Sequence, residues 1–153
     1  MTKYYLLFFL SLIAVFVLDQ NIKFLFVSGL YWDTECISLS LTFNKGVAFS
    51  MLSWLGESLK YIQIVLVSAI IGYVLFKKDI LRHYALAAGM LTGAAFSNIF
   101  DRFLHGGVVD YVHWHCGFDF AVFNLADVVI DISVLMILYI HYKLEKKASK
   151  DTD

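Results

Sequence analysis

The chain has no proline, only two cysteines and few charges. Without proline nothing reads as a Pro-rich linker, and no low-complexity segment or internal repeat divides the chain. Asp, Glu, Lys and Arg together make up 16% of it, where a soluble domain carries about a quarter. The net charge is −1, so the basic surface that a nucleic-acid partner would want is missing. At 153 residues there is room for one domain. What fills the chain is apolar: 60% of residues are hydrophobic and the mean hydropathy is +0.73. These values describe a membrane protein.

About 20 mainly apolar residues cross a bilayer as a helix. Four segments qualify, at about 4–27, 59–76, 84–100 and 124–142. The first reads as a retained span and not as a cleaved signal peptide. Its apolar run is long for that role, no small-residue cleavage site follows, and Asp19-Gln20-Asn21 is a poor end for one. Lys and Arg set the orientation. Lys3, then Lys77, Lys78 and Arg82, then Lys143, Lys146, Lys147 and Lys150 all fall on one side if both termini are cytoplasmic. Two outer segments follow, at about 28–58 and 101–123. Cys36 and Cys116 lie in them, where a disulfide fits an oxidising compartment. Two free thiols fit as well, since spacing alone does not give connectivity.

The outer segments carry their own pattern. Residues 37–44, Ile-Ser-Leu-Ser-Leu-Thr-Phe-Asn, alternate between apolar and polar, the period of a half-buried strand. Asn44-Lys45-Gly46 reads as a turn, with Val47-Ala48-Phe49 returning as a second strand. Trp54 to Leu59 has the mixed polarity of an interfacial segment. The fold expected is therefore an all-α membrane protein. It is one domain over 1–153, with four transmembrane helices, a small extracytoplasmic β-sheet and an interfacial segment.

Ionisable residues at membrane depth are expensive, so they face the bundle interior and are candidates for function. Asp19 and Lys23, spaced i,i+4, form either a helical salt bridge with Lys23 reaching to the interface or a support for a site. Asn98, Asp101 and Arg102 share a helix face if the third span continues that far. They read as a helix end held by an Asp–Arg pair or as part of a site, and Asn98 needs hydrogen-bond partners. Asp110 follows Gly106-Gly107-Val108-Val109, where glycines permit a tight reversal and valines favour extended backbone; it has no evident structural task. Asn124 and Asp127 open the fourth span, where Asn is a good N-cap and an acid suits the first turn. Asp131 lies one turn deeper.

Five blocks now stand in order: Asp19-Gln20-Asn21-Ile22-Lys23, Asn44-Lys45-Gly46-Val47-Ala48-Phe49, Asn98-Ile99-Phe100-Asp101-Arg102, Val108-Val109-Asp110-Tyr111 and Phe123-Asn124-Leu125-Ala126-Asp127. Each is short, but their order and their position on four spans resemble the lipoprotein signal peptidases (signal peptidase II) over nearly the whole chain. The resemblance implies an aspartic peptidase of the bacterial cytoplasmic membrane. Such an enzyme removes the signal peptide of prolipoproteins, just before a cysteine carrying a diacylglycerol thioether. It implies Asp110 and Asp127 as the catalytic pair, with Asp19, Lys23, Asn44, Asn98, Arg102 and Asn124 as substrate-binding or supporting residues. It also implies the lipid-modified precursor and membrane lipids as partners; the topology puts the active site near the outer face, and a monomer is expected. Two positions depart from the family pattern: Ser97 replaces a usual glycine and Val128 a usual serine. Asp131 and the run His113-Trp114-His115-Cys116 lie outside the motifs.

The chemistry suits paired acids. Two carboxylates close together cannot both ionise easily, so one holds a proton while the other deprotonates the attacking water. The pair titrates as a unit. No metal and no cofactor is expected. His113, His115 and Cys116 are ligand types, but in an extended strand Asp110 faces with Val112 and Trp114, away from both histidines. Cys116 beside His115 is not a triad, whose members must converge in space. An ion or proton pathway through Asp19, Asp127 and Asp131 would want its site near the midplane, whereas the blocks gather at the outer edge. An inactive relative that only binds precursors is disfavoured by the presence of both acids.

Overall fold

The computed structural model describes residues 1–46, 51 and 53–150. Helix α1 (Thr2–Val27) leads to strands β1 (Trp32–Asp33) and β2 (Ile37–Asn44). A 3-10 turn at Ser53–Leu55 precedes α2 (Ser58–Phe76), and α3 (Lys78–His105) follows after one residue. Strand β3 (Val108–Trp114) and α4 (Leu125–Lys150) complete the chain. The first three expected spans fall inside α1, α2 and α3, and the fourth starts one residue before α4. The expected return strand at Val47-Ala48-Phe49 lies outside the described residues.

Helices α1, α2 and α4 are long and apolar enough to cross a membrane. Helix α3, expected as a span over 84–100, is long enough but less apolar. Its inner faces carry Gly, Ala, Ser and Thr together with buried Asp101 and Arg102. Composition follows position here, because α3 packs against α1, α2 and α4. A helix enclosed by others needs small residues for close approach more than it needs bulk apolar surface. Ala85, Gly89, Gly93 and Ser97, four residues apart, form a buried stripe on α3. A methyl group at Gly89 would run into Ser11 Oγ and the Phe8 carbonyl, and one at Gly93 into the Leu12 carbonyl. These glycines let α1 and α3 touch backbone to backbone. The buried apolar clusters are small: Phe8 with Val74, Leu81, Ala85 and Ala88, and Val15 with Ala94 and Ala126. Large side chains such as Phe24, Leu10 and Leu135 point outward instead, as a bilayer solvent requires.

The sheet is antiparallel in the order β1-β2-β3. Trp32 pairs with Leu39, so β1 adds a strand that the sequence pattern did not announce. Between β2 and β3 the register slips by one: Leu39 faces Val112, but Thr42 faces Asp110. Such a bulge re-aims the side chains beyond it, and Asn44 lies beyond it. Burial does not alternate along β2: residues 37–40 are half-buried, while Leu41 and Phe43 are exposed. The chain itself leaves that part of the strand's apolar face uncovered. Gly106, at φ +71°, ends α3 in the left-handed conformation that favours glycine and turns the chain into β3. A disulfide joins Cys36, just before β2, to Cys116, just after β3.

Candidate active site

Asp110 lies in β3 and is 1% exposed. Its Oδ2 accepts a hydrogen bond from Asn44 Nδ2 at 3.0 Å and its Oδ1 one from Asn124 Nδ2 at 2.7 Å. Asn44 is oriented by its own chain, because its Oδ1 accepts the Gly46 N–H at 3.0 Å. This is the Asx turn expected from Asn-Lys-Gly, and it leaves the amide nitrogen aimed at Asp110.

Asp127 sits in the first turn of α4. Its Oδ1 accepts from Asn98 Nδ2 at 2.9 Å, and its Oδ2 accepts the Asn124 N–H at 3.1 Å. In return the Asp127 N–H donates to Asn124 Oδ1 at 2.9 Å. The exchange is a capping box with Asp in the third position. Asn124 caps α4, and its amide nitrogen also reaches Asp110 Oδ1, Asn98 Oδ1 and the Val109 carbonyl. The two acids share this one residue and line the same cavity of about 590 Å³, together with Asn44, Asn98 and Arg102.

Behind them lies a buried ionic knot. Lys23 is 2% exposed, so it does not reach to the interface. Its ammonium lies 2.7 Å from Asp19 Oδ2, 2.7 Å from Asp101 Oδ2 and 2.8 Å from Asn98 Oδ1, which uses all three of its donors. Asp19 Oδ1 accepts the Ala126 N–H at 2.9 Å, and Asp101 Oδ2 accepts the Val109 N–H at 3.1 Å. One carboxylate thus anchors the start of α4 and the other the strand of Asp110. The Asp–Arg pair expected at the end of α3 does not form. Asp101 turns to Lys23, while Arg102 donates to the carbonyls of Lys45 and Gly46.

Sequence reasoning missed several supports. Ser97 Oγ donates to Asp19 Oδ2 at 2.6 Å and accepts from Gln20 Nε2 at 2.7 Å, while the same Gln20 amide donates to Asp101 Oδ1 at 2.8 Å. Tyr111 stacks on Phe26 with ring centroids 4.2 Å apart, and its hydroxyl accepts the Leu125 N–H at 3.0 Å. The signal for Ser97 was its departure from glycine; for Gln20 and Tyr111 it was membership in a motif block. His113 and His115 lie 5.3 Å apart, centroid to centroid, and Cys116 is held in the disulfide.

Burial raises the Asp110 carboxyl to about 6, and the neighbouring charge of Asp127 adds to it. The hydrogen bonds from Asn44 and Asn124 and the charge of Lys23 oppose the rise without cancelling it. A carboxyl near 6 has both protonation states within reach near neutral pH, as acid–base catalysis needs.

Apolar helices around two carboxylates on one cavity make a site, built into a membrane protein, whose acids suit hydrolysis. The family model for signal peptidase (SPase) II matches residues 11–143. A lipoprotein signal peptidase of Sulfurimonas denitrificans is 58% identical over 134 residues, covering 88% of this chain and 86% of the relative. One from Campylobacter jejuni (serotype O:6) is 46% identical, covering 97% and 94%, and one from Helicobacter pylori strain 26695 is 43% identical, covering 97% and 96%. A solved bacterial membrane enzyme superposes with a TM-score of 0.74 at 26% identity, covering 92% of this chain and 88% of the other. The chain belongs to the signal peptidase II family, and is a bacterial membrane protease of lipoprotein maturation.

Proposed function

We propose that this protein is an aspartic endopeptidase that releases the signal peptide from diacylglyceryl-modified prolipoproteins, cutting just before the lipidated cysteine. The observation that carries the reading is Asn124 joined to both Asp110 and Asp127 at the wall of one cavity. One acid of the pair deprotonates a water as it attacks the scissile carbonyl, and the other supplies a proton to the developing tetrahedral gem-diol. The peptide C–N bond then breaks as the leaving nitrogen takes a proton, with no acyl-enzyme. Asn44, Asn98 and Asn124 hold the carboxylates still, and a site organised in advance does not have to reorganise during reaction. Arg102 lines the same cavity with a buried Nε that has no partner among the described residues. That donor suits a substrate carbonyl or lipid ester. Asp19 and Lys23 hold the scaffold and do not touch substrate.

The whole chain acts as one membrane domain. Helix α3 is the third of four spans, its small-residue faces packed against α1, α2 and α4 while Leu86, Phe96 and Phe100 face outward. Both termini are cytoplasmic, which puts the sheet and the acids near the outer face, where the cut site of a lipid-anchored precursor lies. The protein works as a monomer among membrane lipids, without metal or cofactor. Purified protein should cleave an S-diacylglyceryl prolipoprotein, leave the unmodified precursor intact, and keep its rate in strong chelator. Cleavage that stops on chelation would favour metal-assisted hydrolysis instead.

A further inference from the structure

In the orientation proposed above, the Lys and Arg residues of the outer side are Lys23, Lys45, Lys60 and Arg102. They run against the usual bias, which keeps such residues cytoplasmic. Lys23 is taken up by the buried knot. The other three converge on a second cavity, of about 350 Å³, with Glu57 and His105 also in its wall. The cavity lies between the first turn of α2, the end of α3 and the turn after β2. Arg102 stands between this cavity and that of the two acids and lines both.

Charge is unbalanced there. Glu57 pairs with Lys60 at 3.0 Å. Lys45, Arg102 and His105 form no ion pair among the described residues, and residues 47–52 contain no acid. Lys60 also occupies the first turn of α2, where the helix dipole disfavours a cation. An anion in the cavity would offset both costs. The surroundings indicate what carries that anion. Trp54, two residues before Gly56, and Tyr61, next to Lys60, are exposed, and such side chains gather at the level of lipid headgroups. Lys60 Nζ lies 5.0 Å from the centre of the Phe103 ring. Phe103 and Leu104 are exposed between Arg102 and His105 in sequence, so apolar surface for acyl chains adjoins the charges.

We propose that this cavity seats the phosphate of an anionic glycerophospholipid of the outer leaflet. With Lys60 matched by Glu57, the charges of Lys45 and Arg102 favour a headgroup of net negative charge over a zwitterionic one. The lipidated precursor does not fill the site, because a diacylglyceryl thioether carries no phosphate. The site goes beyond the peptidase reading, and its readout is lipid binding, not cleavage.

The test uses the full chain purified in a non-ionic detergent. Native mass spectrometry measures retention of phosphatidylglycerol, phosphatidylcholine or diacylglycerol with the same acyl chains. Wild-type protein should hold phosphatidylglycerol about tenfold more tightly than phosphatidylcholine, and diacylglycerol no better than phosphatidylcholine. Lys45→Gln combined with Lys60→Gln should bring the first ratio close to one. Lys146→Gln combined with Lys147→Gln, at the cytoplasmic end of α4, should leave it as in the wild type. Exposed Lys45→Gln alone should lower the ratio about threefold, which keeps the test open if the double variant fails to fold. No preference in the wild type overturns the site. So does an outer variant whose ratio falls no further than that of the cytoplasmic one. Displacement of phosphatidylglycerol by an equal concentration of inorganic phosphate would make a free anion the occupant and overturn the lipid assignment.

Discussion

Asn124 donates its side-chain amide to Asp110 at 2.7 Å, and so ties the strand of one acid to the helix that carries the other. The same side chain caps α4 through its oxygen. Replacing Asn124 with Ala removes these bonds, together with those to Asn98 Oδ1 and the Val109 carbonyl. The cap alone is worth about 1 kcal/mol, so the variant should still fold. Its kcat should fall by about 10²-fold, the usual effect of losing one organised donor. Cleavage of a lipidated precursor, with thermal unfolding in detergent as a control, separates the two losses.

Lys23 holds two buried carboxylates, Asp19 and Asp101, which in turn hold α4 and β3. In Lys23→Met both acids lose their counter-charge. Breaking a buried pair by removing one partner costs about 3–5 kcal/mol, and thermal unfolding in detergent should show it. Lys23→Arg should rescue poorly, because a planar guanidinium does not match three converging acceptors around one point charge.

Half of this site was readable in the sequence and half was not. Asp19, Lys23, Asn98, Asp110, Asn124 and Asp127 stood out because polar groups at membrane depth need a reason. The structure brings all six into one connected network. The direction of each bond was hidden. Asp101 and Arg102 are adjacent in sequence and opposite in charge, yet they part, because Lys23 offers Asp101 a buried partner from another helix. The one-residue slip between β2 and β3 was hidden too, since strand alternation does not reveal a bulge. The small residues at 85, 89, 93 and 97 are visible in the sequence at helical spacing, but hydropathy rewards bulk and so gives a close-packed stripe no weight.

The raised Asp110 carboxyl gives a pH signature. Its carboxyl lies at about 6 in the folded protein, above its ordinary value of 3.8. The shared proton of the pair is lost as pH rises past that point, so kcat/KM should fall above about pH 6 with the slope of one ionisation. Stability shifts in the same direction. The folded form binds this proton more tightly than the unfolded form. The contribution is fully present below about 4 and is lost as pH rises through about 6. Asp110→Asn should remove that part of the pH dependence of unfolding. A profile flat from pH 5 to 8 would contradict the assignment.

The Cys36–Cys116 bond closes a loop spanning 80 residues of sequence. Crosslinks of this kind stabilise by about 2–4 kcal/mol. Cys36→Ser, or reduction of the wild type, should lower the unfolding temperature. Activity should fall at elevated temperature before it falls at room temperature, because β2 and β3 carry Asn44 and Asp110. Activity assayed across a temperature series, with and without reductant, checks this.

The central claim is that two carboxylates activate a water together. The direct measurement is cleavage of an S-diacylglyceryl prolipoprotein by Asp110→Asn and Asp127→Asn, each purified from membranes and shown to unfold as the wild type does. Each substitution keeps the size of the side chain and removes the acid. Both rates should drop by about 10³-fold or more, with loss of general acid–base catalysis as the cause. Cleavage at the wild-type rate by either variant would contradict the dyad.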